Sequence, residues 1–182
     1  ESVSPLRIMG CNVYRGPHLY SHTPMIRIHV DLGILEEWPT DRLSVFVEKL
    51  LTRLLGLTMH TCSTGKVGGF VLRLKEGTWL GHVIEHVALE LQTMAGIPVT
   101  RGKTRSVKGK KGQYYIMYAY GFEKAGLYAG RLALELVSSL LPKILSGFTH
   151  LDKVYEISSP TPFDFETRFI RLTQLTKAEK LG

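Results

Sequence analysis

The segment from Trp79 to Ala95 constrains the fold most, because its apolar residues recur at helical spacing along one side. That stripe comprises Leu80, Val83, Ile84, Val87, Leu91 and Met94. Thr78 is the predicted N-cap, and Gly96 followed by Pro98 ends the helix. A helix with such a stripe needs another element to cover it, so we expect it to pack against a sheet.

Alternation of apolar and polar residues predicts five strands. They cover 6–13, 25–32, 70–75, 98–105 and 113–120. The third rests on Phe70, Leu72 and Leu74, and the last two form a hairpin around the loop from Lys108 to Gly112. Two further helices are predicted, one capped by Thr40 with an apolar stripe from Leu43 to Leu54, the other from Glu123 to Leu141.

The order of these elements indicates an α+β fold, in which a mostly antiparallel sheet is covered by helices. We expect a single domain over residues 1–145. Residues 146–182 are predicted to form a linker around Ser158-Ser159-Pro160 and a docking helix from Phe163 to Leu175.

Charge and cysteine content narrow the classes of function. The net charge is +7, and six cations fall between Arg101 and Lys111 with no acidic residue among them. Such a run suits phosphates or carboxylates, or is a solvated hairpin tip. The only cysteines are Cys11 and Cys62, which favours a reducing, cytoplasmic compartment. Neither a signal segment nor an apolar run of membrane-spanning length is seen, so we expect no membrane partner.

The sequence His82-Val83-Ile84-Glu85-His86, an HxxEH motif, carries the strongest chemical signal. Its histidines lie one helical turn apart, so both imidazoles can reach one zinc ion, while Glu85 can take a proton from bound water. Composition alone gives roughly 0.02 chance matches in a chain of this length. The alternative is a charged outer face of the helix.

A zinc site needs a third protein ligand. Glu90 is awkward, because it lies about 12 Å along the helix axis from His82. Glu123 and Glu135 are the other candidates, and Glu123 is favoured because it follows a strand end. A separate hypothesis makes Cys62 a nucleophile activated by His60, although alternate residues in an extended loop point apart.

The block from Glu76 to Gln92, EGTWLGHVIEHVALELQ, resembles the N-terminal domain of cyanophycin synthetase. Shorter similar segments lie at Ala95–Val99, Gly102–Arg105 and Ala125–Arg131, and the resemblance covers residues 6–141. It implies a role in making cyanophycin, multi-L-arginyl-poly-L-aspartate. The ligase reactions, with their ATP and Mg²⁺, would belong to ATP-grasp and Mur-ligase-like domains outside this chain. The resemblance also implies a homo-oligomeric full-length enzyme.

The same resemblance implies that this domain holds the growing polymer and, in some members, carries a cryptic metallopeptidase-like site that cuts polymer into primers. His82 and His86 then correspond to zinc ligands and Glu85 to the general base. Polymer binding is expected at Arg101, Lys103 and Arg105, with Tyr114 and Tyr118 stacking on polymer arginines. Two alternatives stay open, a polymer-anchoring domain with a vestigial HxxEH site and a platform for single-stranded nucleic acid.

Overall fold

A computed structural model describes residues 6–19, 21–141 and 163–182 of the chain. Its four strands form one antiparallel sheet in the order β1-β2-β4-β3. They are β1 (Arg7–Tyr14), β2 (Met25–Asp31), β3 (Gly102–Ser106) and β4 (Gln113–Ala119). The two edges of the sheet are therefore β1 and β3. The predicted α+β class with an antiparallel sheet is confirmed.

Helices cover one face of this sheet. They are α1 (Ser44–Arg53), α2 (Gly69–Glu76), α3 (Leu80–Met94), α4 (Glu123–Leu140) and α5 (Phe165–Leu181). Helix α3 packs most extensively against α4, and it also contacts β3 and β4. The predicted stripe on α3 is buried from Leu80 to Leu91. Helix α4 and the sheet together therefore cover α3.

Alternation along β2 and β4 separates the two faces of the sheet. Ile26, Ile28 and Val30 are buried with the helices, and Tyr118 joins them from β4 with no exposed surface. On the other face the guanidinium of Arg27 lies over the ring of Tyr115, 4.7 Å from its centroid. The open face thus carries polar and aromatic groups, as half-covered antiparallel sheets commonly do.

The strand predicted at 70–75 is wrong, because residues Gly69–Glu76 form helix α2. Phe70 and Leu74 are fully buried, whereas Leu72 is 49% exposed. The buried pair has the i, i+4 spacing of a helix, and the alternation with Leu72 had no structural basis. Glycines bound this helix, with φ of 83° at Gly68 and 102° at Gly77, values that suit glycine.

Two predicted N-caps are also wrong. Helix α1 begins at Ser44, and the hydroxyl of Thr40 instead donates to the carbonyl of Leu74 and accepts from the amide of Thr78. Helix α3 begins at Leu80 with no side-chain cap bond from Trp79. The Thr40 hydroxyl is used in tertiary contacts, which local sequence does not reveal, and the Thr78 hydroxyl contacts Nδ1 of His82 within the first turn of α3.

The predicted C-terminal helix is confirmed and extends to Leu181. Its Glu179 carboxylate accepts hydrogen bonds from the backbone amides of Lys124 and Ala125, which start α4. This contact places negative charge at a helix N-terminus, where it is favourable. The domain boundary predicted at residues 145/146 lies outside the described residues. Among the described helices, none has the length and apolar character needed to cross a membrane.

Candidate metal centre

A cleft of about 860 Å³ opens beside the edge strand β3. One wall is the histidine side of α3, a second is the run of 3-10 turns over residues 55–64, and a third is β3 itself. His82, Glu85 and His86 all line this cleft. The predicted grouping of the HxxEH side chains on one side of a helix therefore agrees with the structure.

The two imidazoles of α3 meet inside the cleft. Nε2 of His82 and Nε2 of His86 are 3.1 Å apart. Burial, together with the charge of Arg73, lowers the pKa of His82 to about 4. Burial also lowers the pKa of His86 to about 2, assisted by the neighbouring His82 and His60. Both rings are consequently neutral near pH 7, which is the form that binds metal ions.

Cys62 completes a set of three donor groups. Its Sγ lies 3.4 Å from Nε2 of His82, and the donor atoms of Cys62, His82 and His86 are all within 4.8 Å of one another. Ligand atoms of a tetrahedral zinc ion lie roughly 3.3 to 3.6 Å apart. Two neutral imidazoles and a thiol therefore fit zinc in donor type, and the two contacts of His82, at 3.1 and 3.4 Å, are close to the spacing that zinc requires.

The backbone at Cys62 supports this reading of the cleft. Within the described ranges, Cys62 is the one residue other than glycine with a positive φ, at 50°. This left-handed conformation is unfavourable for a side chain with a Cβ and is concentrated at functional sites. The turn directs the sulfur toward His82, whereas a regular extended loop would alternate its side chains.

Glu85 is buried at the floor of the cleft. Its Oε2 accepts a hydrogen bond of 2.6 Å from the hydroxyl of Thr104 on β3. Burial raises the pKa of Glu85 to about 7, although the Thr104 hydrogen bond acts in the opposite direction. A carboxyl group with this pKa can both accept and release a proton near neutral pH, as a general base must.

His60 and Glu90 extend the histidine cluster away from Cys62. Nδ1 of His60 is 2.8 Å from Nδ1 of His86, and Nε2 of His60 is 2.9 Å from Oε2 of Glu90. Sequence reasoning assigned neither residue to the metal centre. The i, i+4 spacing of His86 and Glu90 was the available signal, since it places them on one side of α3.

The structure does not bring Glu123 to the histidines. Both of its carboxylate oxygens accept hydrogen bonds from Arg15, at 2.6 and 2.7 Å. Arg15 follows β1, at the sheet edge opposite to β3, so the topology separates Glu123 from the cleft. Glu135 pairs with Arg131 and Arg168 instead. Cys62 occupies the place beside the histidines for which a glutamate was predicted.

The predicted polymer-binding residues divide into two groups. Arg101, Lys103 and Arg105 are exposed along β3, and Lys103 lines the cleft. Tyr118 is fully buried, and its hydroxyl donates to the carbonyl of Gly126, so its ring cannot stack on a ligand. Tyr114 is 9% exposed and donates to Glu36 at the cleft wall. The register places Tyr115, opposite Arg105, on the open face instead.

Comparison with known proteins agrees with this architecture. A family model described as the cyanophycin synthase-like N-terminal domain matches residues 27–142. The cyanophycin synthetase of Geminocystis herdmanii is 39% identical over 151 residues, which is 82% of this chain and 17% of that protein. That of Synechocystis sp. is 39% identical over 153 residues, 83% of this chain and 17% of its own length.

The cyanophycin synthetase of Trichormus variabilis is 41% identical over 140 residues, covering 76% of this chain and 15% of that protein. This chain thus spans only 15 to 17% of the length of these relatives, which contain other regions besides the matched one. The family match covers more than half of the chain, including β2, the cleft and α4. The chain belongs to the family of cyanophycin synthase-like N-terminal domains.

Proposed function

We propose that this domain binds cyanophycin and cuts it at a zinc site, supplying primers to the ligase domains of the full-length, homo-oligomeric enzyme in the cytoplasm. The observation that carries the proposal is the convergence of His82, His86 and Cys62 beside the buried carboxyl of Glu85. The names of the relatives, all cyanophycin synthetases, support the choice of polymer.

In this proposal the zinc ligands are His82, His86 and Cys62 rather than Glu123. Zinc held there would supply a Lewis acid that polarises a carbonyl group and makes water acidic. Glu85 accepts a proton from the attacking water as the oxygen bonds to the carbonyl carbon of a backbone amide. It returns that proton to the leaving nitrogen when the carbon–nitrogen bond breaks. Thr104 keeps the carboxyl in place through its 2.6 Å hydrogen bond.

The polymer would approach along β3. Arg101, Lys103 and Arg105 are exposed there and form no ion pair with any described residue, so they are available to polymer carboxylates. Lys103 connects this basic edge to the cleft, since it lines both. Charge complementarity of this kind favours association and fixes the register of a bound chain.

The test separates holding the metal from moving the proton. Domain stripped of metal and loaded with one equivalent of zinc is incubated with cyanophycin, and chain length is followed by gel and mass spectrometry. Glu85→Gln should keep one zinc per chain and lose about a hundredfold or more in cleavage rate. His82→Ala and Cys62→Ala should lose both metal and cleavage. Glu48→Gln, on the exposed side of α1, is the matched control and should behave as wild type.

Intact polymer after incubation with the zinc-loaded wild type would refute the hydrolytic part of the proposal, as would undiminished cleavage by Glu85→Gln. Either result with retained cyanophycin binding would leave a polymer-anchoring domain. Tighter binding to a generic oligonucleotide than to cyanophycin would instead support the nucleic-acid alternative.

A further inference from the structure

A line of three hydrogen-bonded side chains, from Glu90 through His60 to His86, lies in the wall of the cleft. Glu90 contacts Nε2 of His60 at 2.9 Å, and Nδ1 of His60 contacts Nδ1 of His86 at 2.8 Å. The side chains of Glu90 and His60 are only 7% and 18% exposed. The hydrolytic steps proposed above use neither of them. Two buried polar residues without a chemical role require another explanation.

The direction of each hydrogen bond follows from the acceptor at the end of the line. Carboxylate oxygens accept hydrogen bonds, so the contact with Glu90 places the proton of His60 on Nε2. With its proton on Nε2, His60 presents a bare Nδ1, which accepts the proton on Nδ1 of His86. A neutral His86 with its proton on Nδ1 has a bare Nε2, the atom that faces His82 at 3.1 Å. Glu90 thereby determines which nitrogen of His86 is free to bind metal.

His82 has a different kind of partner. Its Nδ1 is 3.0 Å from the hydroxyl of Thr78. A hydroxyl can donate or accept, so it permits either protonation pattern of the ring. In metal-free protein Nε2 of His82 can donate to Nε2 of His86, and on metal binding its proton can move to Nδ1 and point at Thr78. The two ligands therefore differ: His86 is fixed by its neighbours and His82 is adaptable.

The surroundings of the line hold it in place. A Cβ at position 56 would lie 1.8 Å from Oε1 of Glu90, so the carboxylate requires glycine there. Gly56 belongs to the 3-10 turn Leu55–Met59, which leads directly into His60. The ring of Phe70 stacks on His86 with centroids 3.9 Å apart and planes at 17°. The backbone at Gly56, the Glu90 carboxylate and the Phe70 ring together restrict the position of the His86 ring.

We propose that Glu90 and His60 form a positioning relay that fixes His86 with its proton on Nδ1 and so sets the affinity of the site for zinc. In this arrangement Glu90 is not a metal ligand. The inference rests on the metal site of the proposed function, but it concerns how this chain prepares a ligand and not the hydrolysis itself. Hydrogen-bond partners of metal-bound histidines commonly act in this way.

The experiment uses three variants of the domain. Glu90→Gln removes the charge, Gly56→Ala displaces the carboxylate without altering a polar group, and Gly102→Ala is the matched control. A Cβ at position 102 would lie 2.4 Å from Oε1 of Glu85, so this control disturbs the other carboxyl group of the cleft. Zinc affinity is measured by competition with a chromophoric chelator, and ¹⁵N NMR of metal-free protein identifies the protonated nitrogen of His86.

Glu90→Gln and Gly56→Ala should bind zinc about 10- to 100-fold more weakly than wild type, and Gly102→Ala within about twofold of it. Wild-type His86 should carry its proton on Nδ1, and Glu90→Gln should show both forms. If Gly56→Ala fails to fold, as judged by circular dichroism, Glu90→Gln decides alone. X-ray absorption of the zinc-loaded proteins should show the same ligand atoms in wild type and Glu90→Gln.

The relay is overturned if Glu90→Gln binds zinc as tightly as wild type, or if wild-type His86 carries its proton on Nε2. Loss of an oxygen ligand from zinc in Glu90→Gln would also overturn it, because Glu90 would then be a ligand. Weakened zinc binding in a protein that does not cut cyanophycin would sustain the relay and refute the hydrolysis. If Glu90→Gln cuts cyanophycin normally and binds zinc as tightly as wild type, the relay is refuted and the hydrolysis is supported.

Discussion

Two of the regions in which a side chain closely approaches a glycine differ in the groups that they admit. Where α4 packs on the sheet, a Cβ at position 130 would lie 1.9 Å from the hydroxyl oxygen of Tyr118. In the cleft, a Cβ at position 56 would lie 1.8 Å from a carboxylate oxygen of Glu90, and one at position 102 would lie 2.4 Å from Glu85. One region admits an aromatic ring, and the other admits carboxyl groups.

The contact at Tyr118 stabilises the fold, whereas the contact at Glu85 serves chemistry. Tyr118 is fully buried and its hydroxyl donates to the carbonyl of Gly126, so the interface gains apolar contact with its polar group satisfied. Glu85 is also buried, but its pKa is raised to about 7, which means that burial disfavours its ionised form. Close packing around a group that burial destabilises indicates selection for chemistry at the expense of stability.

Gly130→Ala should produce the largest loss of stability. The new methyl group would force Tyr118 out of a fully packed position, which we expect to cost about 3 kcal/mol of unfolding free energy. Urea denaturation at neutral pH measures it. Gly81→Ala is the matched control, since its Cβ would come no closer than 3.3 Å to Tyr114. Equal stability of the two variants would show that the α4 interface is looser than the structure indicates.

Glu85→Gln should reveal the opposite behaviour in the cleft of metal-free protein. The pKa of Glu85 is about 7 when folded, above its ordinary 4.5, so the folded state binds the proton more strongly. This group therefore lowers stability progressively as pH rises from about 4.5 to 7. The variant should be about 3 kcal/mol more stable than wild type at pH 8, with no difference below pH 4.5.

Urea denaturation across this pH range gives both values, and the difference between the two proteins isolates Glu85 from the titration of the histidines. Glu76→Gln, which replaces an exposed glutamate on α2, is the comparison variant for loss of a carboxyl group at the surface. If the unfolding free energy of Glu85→Gln varied with pH as that of wild type does, the Glu85 carboxyl group would be hydrated, as it is at an ordinary protein surface.

The sequence was informative where structure depends on near neighbours. His82, Glu85 and His86 share a helix, so their grouping follows from helical geometry alone. Phe70, Leu72 and Leu74 show the limit of that reasoning, because three apolar residues at alternate positions also contain an i, i+4 pair. Only the packing against the core distinguishes a strand from a helix here, since the core covers Phe70 and Leu74 and leaves Leu72 49% exposed.

The remainder of the cleft depends on distant contacts. Cys62 reaches His82 through a turn with a positive φ, which the local sequence does not predict. Glu123 begins a helix after a strand, as predicted, but the strand order places it with Arg15 near the opposite edge of the sheet. The third metal ligand comes from a segment distant in sequence from the two histidines. Identifying it therefore requires the order of the strands in the sheet, and not only their positions in the sequence.

The smallest expected effect concerns the basic edge, where neither kind of close packing applies. Replacing Arg101, Lys103 and Arg105 by alanine should weaken cyanophycin binding about tenfold, because exposed charges contribute only about 0.5 kcal/mol each. Replacing the exposed Lys75, Arg171 and Lys177 removes the same charge elsewhere and should leave affinity nearly unchanged. Binding measured at two salt concentrations should show a weaker salt dependence for the first variant than for the control. Equal losses in both would mean that net charge, and not the β3 edge, attracts the polymer, and the edge would then have no part in guiding it to the cleft.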